Sequence, residues 1–268
     1  MATQDRAEQY HLALTWQENG ARPSLQGFDL SDQDLTGVEL AEADLTGADF
    51  SRARLVEANL RKARISRGVF VRADLRQAAF SQAVLAGADF SLADLQEAKL
   101  IGANLSGADF RSANLRWTKL NGAQLAGADL AGARLIGAIF SGAQLKGIKN
   151  LSGGRLKGAN LGRANLAGVN LAGSYLGEAA CAEAVLAGAN LAGAFMVKAA
   201  LPRVDLSRAN LSGAFMAGAV LTGANLAGAI LRGAILVEAN LREANLDGAD
   251  LSGADLTGAV MPDGAKHE

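Results

Sequence analysis

Hydrophobic and polar positions recur along most of the chain with a period of five. From Leu30 to Leu145 every fifth residue is large and apolar, 24 positions in succession. The series resumes one residue out of phase at Leu151 and runs to Met261, giving 23 more. Only Leu, Phe, Ile, Met and Cys occupy these positions, called i below. Position i−2 is nearly always alanine, as at Ala43, Ala48, Ala53 and Ala58 and again at Ala209, Ala214, Ala219 and Ala224. Position i−1 is frequently Asp or Asn, and i+2 frequently Gly.

A period of five suits neither regular element. In a helix, five residues leave a net rotation of about 140°, so the leucines would spiral around the axis and never build a face. In a plain strand side chains alternate, so an odd step would send successive leucines to opposite sides. The pattern is satisfied when i−2 and i lie on one short extended side, facing inward together. The next two residues then turn a corner onto the next side. Phenylalanine gives the number of sides. Phe50, Phe70, Phe90 and Phe110 are 20 residues apart, as are Phe195-Met196 and Phe215-Met216, while Phe80 and Phe140 are 60 apart. Four pentapeptides per coil would stack each ring on the next at about 4.8 Å, the spacing of hydrogen-bonded strands.

These repeats resemble the pentapeptide-repeat family, and the resemblance covers residues 27–261. It implies an all-β fold, a right-handed quadrilateral parallel β-helix of about twelve four-sided coils. The tail Met261-Pro262-Asp263-Gly264 resembles the MPDG ending of bacterial, notably cyanobacterial, members. Residues 1–26 are expected to form a capping helix and lead-in: Ala7, Tyr10, Leu14 and Trp16 mark an apolar side within 3–19, Gly20 is a stop signal, and Pro23 follows. A targeting or dimerising helix is the alternative for this segment. Residues 262–268 form a C-terminal tail whose turn either caps the last coil or leaves two C-terminal ends to meet in a dimer. The phase slip at 146–151 predicts a local bulge or a kink, with Lys149 unable to face the interior.

Composition narrows the function. The 268 residues are 50% hydrophobic but 5% aromatic, with 32 Gly and 3 Pro, so the expected core is narrow and alanine-rich. With 26 Lys+Arg against 27 Asp+Glu the formal net charge is −1, which offers no bulk attraction to nucleic acid or an anionic membrane. One cysteine, Cys181, excludes an intramolecular disulfide and points to a cytoplasmic setting. No stretch approaches the roughly 20 apolar residues of a membrane span. Candidate chemistry is sparse. His11 and His267 stand beside no nucleophile, Cys181 occupies an inward i position, and there is neither Cys/His metal spacing nor a phosphate-binding loop. The chain is therefore read as non-enzymatic, with no catalytic residue, metal or cofactor.

Function is then expected in the outward columns, where residues 20 apart align. Asp29, Asp49, Asp89, Asp109 and Asp129 form an acidic column broken by Val69. The resemblance implies that such a stripe can imitate duplex DNA and protect DNA gyrase or topoisomerase against inhibitors. Against this stand the cations Arg52, Arg54, Arg61, Lys62, Arg64, Arg67, Arg72 and Arg76 in the same region, and the habit of an i−1 Asp to hydrogen-bond the corner backbone. Asn150, Asn170, Asn190 and Asn210 form an amide column, expected to bond along its length. Tyr175, Phe195, Phe215 and Ile235 form an apolar outward column, followed by Ala180, Ala200 and Val220 in the next. These are the candidate protein interface; Trp117 is a weaker anchor. The partner is an unidentified protein, with homodimerisation through the C-terminal coils or the apolar stripe as a further option.

Overall fold

The structure, a computed structural model, describes residues 11–13, 24–149 and 151–268. The chain forms two compact units, Met1–Ala133 and Arg134–Glu268. Both are β-solenoids whose sides are reduced to single-residue bridges. From Ser24 to Asp109 each i−1 residue pairs in parallel with the residue 20 further on, as in Asp29 with Asp49, Asp34 with Arg54, Glu39 with Asn59 and Asp44 with Arg64. Those four ladders are the four sides of a coil.

Each pentapeptide bonds mainly to the coils before and after it and makes one bond of its own at the corner. Phe90 N–H donates to Asp109 O at 2.7 Å, Leu92 N–H to Arg111 O at 3.0 Å, and Asp109 N–H to Ala88 O at 2.9 Å. Ala93 N–H returns to Phe90 O at 3.0 Å, closing the corner. The i+2 residue of each corner takes a positive φ, near 60° at Arg52, Leu92 and Trp117 and 67° at Gly87. A turn with positive φ at its third residue favours glycine. Leu92 and Trp117 hold this conformation with bulky side chains, half-exposed. A branched or large residue there is strained relative to glycine by roughly 1 kcal/mol.

Positions i and i−2 point inward, as the alternation requires. Phe50, Phe70, Phe90 and Phe110 are fully buried and stacked, with centroids 4.9, 4.7 and 5.0 Å apart and planes within 5° of parallel. Phe80 meets Phe70 and Phe90 edge-on, at 5.8 and 6.2 Å. Two hydroxyls occupy i−2 positions where alanine is usual. Thr118 Oγ1 donates to Leu95 O at 2.9 Å. Ser174 Oγ is buried and has no hydrogen-bond partner among the described residues. An unpaired buried hydroxyl costs about 1–3 kcal/mol. Ser174→Ala is therefore expected to raise stability by about 1 kcal/mol, read as a higher denaturant midpoint; an unchanged or lower midpoint would show that the hydroxyl is satisfied.

The phase slip lies inside the second unit. Arg134 pairs with Arg155, Ile139 with Asn160 and Gln144 with Asn165, each 21 residues apart; from Arg155–Tyr175 onward the interval is again 20. Ile148 fills the inward position and Lys149 is exposed, so the extra residue is taken up as a local bulge. The coil starts earlier than the expected residue 27, because Ser24 already pairs with Asp44 and Leu25 is buried. Of the expected cap, residues 11–13 are helical and Ala13 is buried; the remainder of that helix, including Ala7, Tyr10, Leu14 and Trp16, lies outside the described residues. At the other end the tail turns at residues 262–264 and returns antiparallel, with Val260 bridged to Lys266 and Met261 N–H donating to Ala265 O at 2.8 Å. Leu246, Leu251, Leu256 and Met261 remain only half-buried beside it.

Candidate functional site

The outward columns follow from the bridges. In the second unit Tyr175 pairs with Phe195, Phe195 with Phe215 and Phe215 with Ile235, so all four lie on one side. Met196 N–H donates to Phe215 O at 2.7 Å, and Phe215 N–H to Ala194 O at 2.9 Å, which fixes the rung spacing beneath the rings. The rings stack in consequence: Tyr175 on Phe195 at 4.9 Å and Phe195 on Phe215 at 4.8 Å, with planes 5° and 2° apart. Stacking does not bury them. Tyr175 is 50% exposed, Phe195 36% and Phe215 37%. Val197, at the neighbouring corner, and Val220, on the next side, are also exposed. Val220 bridges Ala200 and Asn240, so it belongs to the adjacent ladder and not to the ring column itself.

Charges bound this column. Below Tyr175 comes Arg155, its bridge partner; above Ile235 comes Asp255. Asp255 Oδ1 accepts from Thr257 N–H at 3.0 Å and Thr257 Oγ1–H at 2.7 Å, and these bonds hold its carboxyl below the usual range. At the corner Lys157 pairs with Glu178 at 3.3 Å. A shallow hollow is lined by Lys157, Tyr175, Glu178, Phe195, Val197 and Lys198.

The acidic column takes a different form. Asp29, Asp49, Asp89, Asp109 and Asp129 do share a side with Val69, as the arithmetic of twenty requires, through the pairs Asp29–Asp49, Asp49–Val69, Val69–Asp89, Asp89–Asp109 and Asp109–Asp129. Each turns Oδ1 onto the backbone N–H two residues ahead: Ser31, Ser51, Ser91, Arg111 and Ala131, at 2.8–3.0 Å. The column is therefore a series of corner caps. Cations sit among them. Arg111 bonds Asp109 through Nε, and its own charge is stabilised by that carboxylate and by Asp129 and Asp89. Arg52 pairs with Asp32 at 2.6 Å and also feels Asp49 and Asp29.

The amide column bonds along its length: Asn190 Nδ2–H donates to Asn170 Oδ1 at 3.1 Å and Asn210 Nδ2–H to Asn190 Oδ1 at 3.3 Å, while Asn150 lies outside the described residues. Trp117 is exposed at a corner of the first unit, away from the ring column in sequence and unit alike. Cys181 is buried, and burial pushes its thiol up to about 12. The thiolate is the reactive form, so Cys181 is expected to resist thiol reagents in the native protein and to label only after unfolding; rapid native labelling would contradict its inward placement. Among the described residues no group of three or more His, Cys, Asp or Glu is placed to hold a metal, and no helix is long and apolar enough to cross a membrane.

The family described as pentapeptide repeats matches in abutting or overlapping segments from residue 22 to residue 261, one segment ending at 149 and the next beginning at 150, at the phase slip. No curated protein matches significantly. Among solved structures, the chain is 35% identical to HetL, a pentapeptide repeat protein involved in heterocyst differentiation regulation from the cyanobacterium Nostoc sp. strain PCC 7120, over 97% of this chain and 98% of that one, with a TM-score of 0.34. It is 20% identical to QnrB1, a plasmid-mediated fluoroquinolone resistance protein, over 83% of this chain and 90% of that one, with a TM-score of 0.23. A pentapeptide repeat protein from the Arabidopsis thaliana thylakoid lumen is 30% identical over 47% of this chain and 72% of that one, with a TM-score of 0.21. At these TM-scores the superpositions carry no argument, and the weight falls on the repeats themselves. With the family's repeat pattern running from residue 22 to residue 261, the chain belongs to the pentapeptide-repeat family.

Proposed function

We propose that the chain is a non-enzymatic, rigid protein-interaction module that docks a protein partner on the aromatic side of its second unit. The observation that carries this reading is the exposed stack Tyr175–Phe195–Phe215, continued by Ile235. Aromatic side chains are enriched at the centres of protein interfaces. A ring locked between neighbours also loses little side-chain entropy when a partner covers it. Position i−1 is often an Asp or Asn that caps a corner, and of all the i−1 positions Tyr175, Phe195 and Phe215 alone carry aromatic rings. The lone cysteine, kept as a buried thiol, suits a reducing cytoplasm. Right-handed coiling, the hand taken by about 98% of parallel β-connections, is part of the same reading.

Gyrase protection by DNA mimicry has weaker support. Each carboxylate of the acidic column turns Oδ1 onto a corner N–H, and Arg52 and Arg111 are set among them.

The test compares the full chain with Phe195→Asp/Phe215→Asp and, as a control at an exposed apolar residue of the first unit, Val84→Asp. A partner bound through the ring column should be retained by the chain and by the control, and lost from the double variant while its β circular-dichroism signal persists. Equal retention by all three would sink the proposal.

A further inference from the structure

We infer that the occupant of the aromatic side is a second copy of this chain, laid antiparallel so that Arg155 faces the partner's Asp255. This rests on the docking reading above and names its partner. The column reads Arg155, Tyr175, Phe195, Phe215, Ile235, Asp255. Reversed and laid against itself, it sets Tyr175 on the partner's Ile235 and Phe195 on the partner's Phe215. Arg155 then meets the partner's Asp255, and Asp255 the partner's Arg155. Every apolar residue meets an apolar one, and both terminal charges are matched together, as a two-fold interface requires. A parallel pairing would instead oppose Arg155 to the partner's Arg155 and Asp255 to the partner's Asp255.

The repeat itself supplies the register. Rungs 4.8–4.9 Å apart on one copy face rungs of the same spacing on the other, so no mismatch accumulates along the column. Asp255 makes its two corner bonds through Oδ1, and Arg155 is exposed. Along one edge Glu178 comes opposite the partner's Glu238, with Lys198 one rung from Glu178. The contact is one side wide and six rungs long, about 24 Å. That is well below the roughly 800 Å² per partner of a standard interface, so the dimer is weak and forms at high protein concentration.

Sedimentation velocity on the full chain, from low micromolar to millimolar, tests this. Arg155→Asp and Asp255→Arg should each weaken self-association about tenfold by opposing like charges. Combined in one chain they should restore it. Within a single copy these residues are about five rungs apart, roughly 24 Å, beyond a Debye length of about 8 Å, so rescue reports contact between copies. Asp255→Asn, which keeps the corner acceptor and loses the charge, should weaken association several-fold without changing the unfolding midpoint. A chain that stays monomeric throughout, or charge variants that associate like the parent, overturns the inference. If a different protein is captured and lost in the Phe195/Phe215 variant while the chain stays monomeric, the docking reading stands and the antiparallel dimer falls. Self-association unaffected by the Phe195/Phe215 variant overturns the antiparallel dimer, and a partner protein retained equally by that variant removes the docking reading as well.

Discussion

Phe90→Ala is expected to cost about 3–5 kcal/mol, the range for truncating a fully buried aromatic. Phe90 is fully buried, with Phe70 stacked on one side at 4.7 Å, Phe110 on the other at 5.0 Å, and Phe80 edge-on at 6.2 Å. Its removal opens a void between two rungs that cannot close, because the backbone bonds above and below hold the coil pitch. It also ends three aromatic contacts, each worth about 0.5–1.5 kcal/mol beyond the area buried. Phe50 is equally buried, yet among the described residues it makes one ring contact, with Phe70 at 4.9 Å. Phe50→Ala should therefore cost less than Phe90→Ala. Chemical denaturation followed by circular dichroism measures both. Equal losses would mean that area alone, and not the continuity of the stack, sets the stability.

Gly68→Ala should be the second large effect, about 1–3 kcal/mol of overpacking, although it restores the residue found at nearly every other i−2 position. A Cβ at Gly68 would lie 2.6 Å from Ile65 Cγ2, 3.1 Å from Ile65 O and 3.3 Å from Phe70 Cε2. Ile65 is the one isoleucine in the i series. Its β-branch methyl, Cγ2, fills the space that alanine's methyl takes beside leucine elsewhere. Ile65→Leu should therefore be nearly neutral on its own and should remove most of the cost of Gly68→Ala. The double variant then falls well short of the sum of the singles, since contacting positions couple. Additive costs in a double-mutant cycle would refute this account.

These two sites mark what could be read from the chain. The Phe50–Phe110 stack was legible because periodicity alone fixes which residues share a side, and the bridges repeat at the same interval of 20. The ring column of Tyr175, Phe195 and Phe215 was legible for the same reason, as an apolar exception at i−1. Ser174, Thr118 and Gly68 were not. All three depart from alanine at i−2, yet one is bonded, one is unpaired, and one answers a neighbour's branching. Those differences depend on distances of tenths of an ångström, which no spacing rule contains. The acidic column was legible in both respects: its alignment followed from counting, and the turn of Oδ1 onto each corner from the habit of Asp at that place. The positive φ of Leu92 and Trp117 had a sequence signal in their place at i+2, where glycine is common.

Each rung is bonded only to its nearest neighbours, and after the bulge near Lys149 the interval returns from 21 to 20 within a single turn. A single extra residue is thus absorbed where it arises and is not passed down the chain. Insertion or loss of a whole coil would leave every surviving ladder aligned, whereas an insertion of one pentapeptide would carry each later side chain a quarter lap round. A gene for such a protein can change in steps of sixty bases and keep its faces, but steps of fifteen would redistribute them.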